Sequence, residues 1–184
     1  MSGSASYYVD GVKLQGVPVN MSDVQSVEVV KGPASVLYGR SEPGGLVNVV
    51  RKPLSAVATF GAEQTIGQYG LSRTVVEGGG TLDANNRLLG RASLSYLDNG
   101  SPRAFVEDKL AGVNGALTWA PGTETRIGLS LAFIDQKYRT DFGVPADLAR
   151  GRPIAPNDRQ QYNDSPELSR TRSTTLAFDA EQRL

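Results

Sequence analysis

The chain has 184 residues, with 19 Lys+Arg balanced by 19 Asp+Glu, no His, no Cys, 21 Gly and 39% hydrophobic residues. Without His or Cys, imidazole bases, thiolate nucleophiles and His/Cys zinc or haem sites are excluded, and a net charge of zero supplies no general attraction for nucleic acid. Charged and polar residues interrupt every apolar run well before the ~20 residues of a spanning helix, which excludes a helical membrane protein but not a membrane β-barrel.

In chain order, the N-terminal residues have neither a basic n-region nor an apolar h-region, so the expectation is no export signal in this chain. Composition then divides the sequence near Lys52-Pro53, giving expected units 1–53 and 54–184. In the first unit, Tyr7-Tyr8-Val9 leads into an Asp10-Gly11 hairpin turn. Val24 to Val30 is a valine-rich strand. Pro33 just inside a start and Gly39 just past an end predict a short helical turn. Pro43-Gly44-Gly45 turns the chain into a last strand, Leu46–Val50.

Beyond Pro53 the apolar residues recur with period two. Leu88, Gly90, Ala92, Leu94 and Tyr96 alternate with Arg91, Ser93 and Ser95; Leu117 and Trp119 continue one series, with Asn114 in the other; Ile127, Leu129, Leu131 and Phe133 alternate with Arg126 and Ser130. Six strands are predicted, at 56–67, 71–81, 87–98, 110–120, 125–138 and 171–184. Tight turns at 83–86 and 121–124 alternate with longer connections at 99–109 and 139–170. In an up-and-down antiparallel sheet this puts both tight turns at one rim and both long loops at the other, the asymmetry of transmembrane barrels. Period two equally suits a soluble antiparallel sheet, so a soluble β-rich binding or structural domain stays open as the alternative.

The segment VQSVEVVKGPASVLYGRSEPGGLVNVVRK, residues 24–52, closely resembles the end of the plug domain of TonB-dependent siderophore receptors, and YYVDGVKLQG before it resembles the same plug. FVEDK at 105–109, ALTWAPGTETR at 116–126 and the later DFGVP and GRPI resemble that family's first barrel strands and loops. The resemblance implies a mainly β protein: a partial plug domain followed by an antiparallel up-and-down sheet like the start of a transmembrane β-barrel. Family barrels have ~22 strands around a plugged lumen, so six strands imply a fragment, without the family's N-terminal energy-coupling segment and the first half of the plug.

What the resemblance implies for function is uptake of a ferric siderophore at the bacterial outer membrane, energised by an inner-membrane TonB-type partner, with outer-membrane lipid around the strands. Iron would arrive chelated, so no cofactor is expected, and none of the partners is a nucleic acid. Tyr7, Tyr8, Gln15, Asn20 and Met21 are the expected siderophore contacts, in and after the first hairpin. Gly32, Gly39, Gly44 and Gly45 are the plug-motif glycines. Glu28, Lys31, Arg40 and Glu42, with Arg51 and Lys52, intersperse both signs as a plug docked on a hydrated wall requires. No catalytic constellation emerges. Asp10, Asp23, Glu28 and Glu42 read as turn or solvated carboxylates. Asp158, Asp164 and Glu167 lack the spacing of a calcium loop and read as loop residues in water.

Overall fold

The computed structural model describes residues 6–14, 19–31, 45–139, 141, 146–147, 149, 151–153 and 168–183. The small sheet contains β1 (Ser6–Val9), β2 (Val12–Lys13), β3 (Val24–Lys31) and β4 (Gly45–Arg51), in spatial order β2-β1-β4-β3. Asp10 and Gly11 take φ of 48° and 80°, the left-handed pair that a two-residue hairpin demands. Strand β4 is central: β1 runs parallel to it, Tyr7 beside Val47, and β3 antiparallel, Val29 beside Val47. Gly45 has a φ of 111°, and a Cβ there would overlap the Val30 carbonyl. Only glycine lets β3 and β4 approach so closely at the start of the pair. Tyr8 and Leu46, 3% and 1% exposed, form a small core with Val30 beside them. The expected helical turn after Pro33 lies outside the described residues.

Residues 52–58 lead to the large sheet: β5 (Thr59–Ile66), β6 (Ser72–Thr81), β7 (Leu88–Gly100), β8 (Glu107–Trp119) and β9 (Thr125–Tyr138). The long connection after β9 carries a ribbon of β10 (Ala146–Asp147) and β11 (Arg152–Pro153), and β12 (Ser169–Gln182) closes the order β12-β9-β8-β7-β6-β5. All neighbours are antiparallel. The six strands match those predicted, including β5 and β6, whose apolar residues alternate poorly. Strands β7 and β8 run further toward their shared loop, because the ladder continues through Asp98↔Lys109, Asn99↔Asp108 and Gly100↔Glu107.

The rims follow the expected asymmetry. At one rim the two tight turns meet, Ala120 N–H donating to Arg87 O at 2.7 Å. At the other, Arg103 pairs with Asp141 at 2.8 Å and the Arg139 guanidinium reaches Phe105 O at 3.3 Å. The β5–β6 connection, residues 67–71, also falls at this second rim although it is short.

Register sorts the side chains into two unlike faces. One row reads Gly90, Leu117, Leu129 and Phe178, and another Leu94, Val113 and Phe133. The opposite face reads Arg91, Ala116 and Ser130, then Ser93, Asn114 and Ala132. The polar face is the covered one. Ser93 and Asn114 are 2% and 5% exposed, whereas Leu94 and Leu129 are 56% and 48% exposed. A sheet in water buries its apolar face, so this inversion is the fold's main physical clue.

Candidate functional site

The small sheet lies against the polar face of the large one, and the seam between them is built from charges and amides. Asn20 begins it by capping the three-residue turn Met21–Asp23, its Oδ1 accepting from Ser22 N and Oγ at 3.1 and 2.8 Å. The same side chain turns its Nδ2 outward to donate to Ser95 Oγ on β7 at 2.7 Å. Gly112 on β8 makes room for that amide: a Cβ there would overlap Asn20 Nδ2 and Ser95 Oγ.

One turn further on, Asp23 pairs with Arg91 of β7, their side chains only 10% and 12% exposed. Arg91 Nη2 also donates to Glu77 Oε2 on β6 at 2.8 Å, and Lys52 Nζ donates to the two Glu77 oxygens at 2.9 and 2.7 Å. The Lys52 backbone N–H closes the circuit on Asp23 O at 2.9 Å. Burial pushes the Asp23 carboxyl above the usual carboxylate range, and Arg91 opposes that rise through its charge and its hydrogen bond. This corrects the reading of Asp23 as a solvated turn residue.

Arg51 supplies a second anchor. Its Nε donates to Asp10 Oδ2 at 2.5 Å and its backbone N–H to Asp10 Oδ1 at 2.9 Å, while Nη2 reaches Ser130 Oγ on β9 at 3.2 Å. Asp10 thus shapes the hairpin and orients the arginine that touches the wall. A cavity of about 270 Å³ separates the anchors, lined by Asp23, Arg51, Lys52, Arg91, Asn114 and Arg126 among others. Its polar lining suits water, so these contacts can be exchanged for solvent as the sheets part.

The sequence-derived residues fall in different places. Arg51 and Lys52 reach the wall; Glu28 accepts from Asn48 Nδ2 at 3.0 Å within the small sheet, and Lys31 is exposed at the end of β3. Tyr7 and Met21 are exposed, Tyr8 is in the core, and the Asn20 side chain is committed to its cap and to Ser95. Gln15, Gly32, Gly39, Arg40, Glu42 and Gly44 lie outside the described residues, as do Asp158, Asp164 and Glu167. Sequence reasoning missed Asp10, Asp23, Glu77 and Arg91 as a docking set. Its available signal was the isolated long charges Glu77 and Arg91 on adjacent strands of one sheet face, Arg91 among small residues.

Comparison with known proteins agrees with this geometry. Residues 1–46 match the TonB-dependent Receptor Plug Domain. The ferrioxamine B receptor of Salmonella typhimurium strain SL1344 is 33% identical over 154 residues, covering 75% of this chain and 21% of the receptor. The catecholate siderophore receptor Fiu of Escherichia coli O157:H7 is 29% identical over 149 residues, covering 77% and 19%. Among solved structures, the siderophore receptor PiuA of Acinetobacter baumannii superposes with a TM-score of 0.85 at 23% identity, over 97% of this chain and 26% of that one. The ferripyoverdine receptor of the outer membrane of Pseudomonas aeruginosa gives 0.78 at 20% identity, over 95% and 25%. The chain therefore spans about a fifth of the curated relatives it matches. The plug match, the siderophore-receptor relatives and the shared two-sheet fold make this chain a member of the TonB-dependent receptor family.

Proposed function

We propose that the chain is the plug-to-wall section of an outer-membrane receptor that takes up a ferric siderophore, driven by a TonB-type partner in the inner membrane. Residues 1–53 form the end of the plug and 54–184 the first strands of the barrel. The relatives are receptors rather than enzymes. The observation that carries the reading is the inverted large sheet, apolar outside and polar toward the small sheet. A lipid-facing belt and a hydrated lumen need these two surfaces.

The seam suits a plug that must move. Hydrogen bonds to water replace those it makes, each worth only ~0.5–1.5 kcal/mol net, and among the described residues Val75 and Ile134 are the buried large apolar side chains of the covered face. Pulling on the small sheet can separate Asn20, Arg51 and Lys52 from the wall in succession. Of the expected siderophore contacts, Tyr7 and Met21 would meet the ligand, both being exposed, whereas Tyr8 and Asn20 would hold their surroundings in shape. Of the plug-motif glycines, Gly45 lets β3 and β4 close together through its positive φ. Among the described residues, Asn20, Asp23, Arg51 and Lys52 carry the docking contacts.

The test replaces the matched section of the ferrioxamine B receptor with this chain and follows uptake of ⁵⁵Fe-ferrioxamine B and of a ferric catecholate by iron-starved cells. Energy-dependent uptake of either is expected. A hybrid that reaches the outer membrane at normal abundance, melts like the parent receptor and imports neither would overturn the reading.

A further inference from the structure

The polar face of the large sheet continues past the seam toward the long-loop rim. Among the described hydrogen bonds and ion pairs of the seam, the one nearest that rim joins Asn20 to Ser95, beside Gly112. Four residues from Gly112 along β8 stands Asp108, ~14 Å closer to the rim at ~3.4 Å per residue. There the register sets Asn99, Asp108 and Tyr138 side by side on β7, β8 and β9. Strand alternation gives all three the face of Ser93, Asn114 and Ala132, and all three are partly buried. Asp108 Oδ1 accepts from Gln136 Nε2 at 2.8 Å, a neutral partner, and among the described residues the carboxylate has no ion pair. The other charges on this stretch of the face, Arg73 and Glu63, pair with each other at 3.1 Å.

A groove of about 170 Å³ opens at this row, bounded by Asn99, Asp108, Gln136 and Tyr138; Glu107 and Arg139 also line it and pair with each other at 2.9 Å. We infer that the row binds a protonated amine carried by the siderophore. An ammonium has three donors and no acceptor, and the row offers it Asp108 Oδ2 flanked by Asn99 Oδ1 and Tyr138 Oη. One carboxylate supplies a single negative charge, matched to a monocation. The same charge repels a ferric tris-catecholate, which is polyanionic, so the site selects by an unfavourable contact as well as a favourable one. The substrate class is therefore a hydroxamate-type chelate with a neutral iron centre and a pendant ammonium. This rests on the reading of the polar face as the lumen of a siderophore receptor, with the long-loop rim as its outer mouth. A chelate held at the level of Met21, beside Asn20, reaches the row with its extended arm.

The hybrid carrying this chain within the ferrioxamine B receptor is given ⁵⁵Fe-ferrioxamine B, whose arm ends in an ammonium, its N-acetylated form, with the same iron centre and a neutral arm, or a ferric catecholate. The ammonium form is expected to show the lowest KM for uptake. Asp108→Asn should raise that KM about tenfold, the lower end for a hydrogen bond to a charged group, with the maximal rate and the uptake of the acetylated form unchanged. Asp108→Glu should keep the preference, and so should Asp179→Asn, a carboxylate lying over Gly128 on the same face nearer the tight turns. Surface abundance checks each variant, and a D108N receptor that fails to reach the membrane is replaced by N99L/Y138F, which removes the two flanking acceptors and should raise the same KM. Equal KM for the ammonium and acetylated forms, a preference kept by an abundant D108N or N99L/Y138F receptor, or import of the catecholate alone overturns the amine site and leaves the uptake reading standing. Import of none of the three overturns both.

Discussion

Replacing Arg91 by Met keeps an unbranched apolar stem and removes the charge at the centre of the seam. Asp23 then loses its closest partner while 90% of its side chain remains covered, and Glu77, 31% exposed, keeps Lys52. Breaking a buried pair from one side costs about 3–5 kcal/mol; because Glu77 stays neutralised, the lower end, about 3 kcal/mol, is expected for docking of the small sheet. That equals an opening equilibrium constant about 150-fold larger. The Lys52 amide, bonded to Asp23 O, reports it directly by hydrogen exchange in micelles, with β8 amides as the internal control. The pH dependence has a definite sign. Burial raises the folded-state pKa of Asp23, so its contribution is fully present below the ordinary carboxylate pKa of about 4 and is lost as pH rises through the raised value. Without Arg91 that loss deepens, so the defect of the Met variant should be large at neutral pH and shrink on acidification. Unchanged Lys52 exchange at neutral pH, or equal acceleration in β8, would refute the docking role of the pair.

Three further outcomes are expected. Leu129→Arg, in the middle of the outward apolar rows, should cost about 2–4 kcal/mol of folding into phosphatidylcholine vesicles; an unshifted urea midpoint would contradict a lipid-facing surface. Gly112→Val should displace Asn20 from Ser95 at about 1–3 kcal/mol, lowering exchange protection in the small sheet while β7 to β9 stay protected, and uniform loss across both sheets would count against a local effect. At the tight turn, the Leu88 backbone N–H bonds to Asp83 at 2.8 Å, and that bond leads the effects that hold the Asp83 carboxyl below its usual range. The turn's stabilisation should thus persist above the ordinary carboxylate pKa and disappear only as pH falls through the depressed value; loss of Leu88 protection already between about pH 6 and 5 would be inconsistent with it.

Period two carried most of the large sheet because the middle of one face, over β7 to β9, is apolar or small. The expected 125–138 coincides with β9, and Leu94, Tyr96, Leu117, Trp119, Leu129, Leu131 and Phe133 share a face in the observed register. The same criterion stopped short at the β7–β8 loop. There the ladder continues for several residues, but its outward positions are Asp98, Lys109 and Glu107, so the strand persists where the hydrophobic signal ends. In the small sheet, the hairpin and the valine strands were legible from turn chemistry and composition. The parallel β1–β4 pairing was not, since it joins segments about forty residues apart and leaves no periodic trace.

The seam shows why docking residues are harder to read than strands. Asp10, Asn20 and Asp23 are turn and cap residues by type, and local chemistry accounts for each without a distant partner. Their second role appears only when a partner distant in sequence arrives, Arg51 from the end of β4 or Ser95 and Arg91 from the other sheet. The wall nevertheless announces part of this in its own register. Arg91 stands opposite Gly79, where a Cβ would lie 3.1 Å from the arginine Cβ, and Glu77 is the diagonal neighbour opposite Ser93. A long cation flanked by Gly, Ser and Ala on a covered face has one acid within diagonal reach. Lys52, arriving from the small sheet, already occupies both oxygens of that acid. Charge balance then requires a second acid from the covering layer, and Asp23 is the group that provides it.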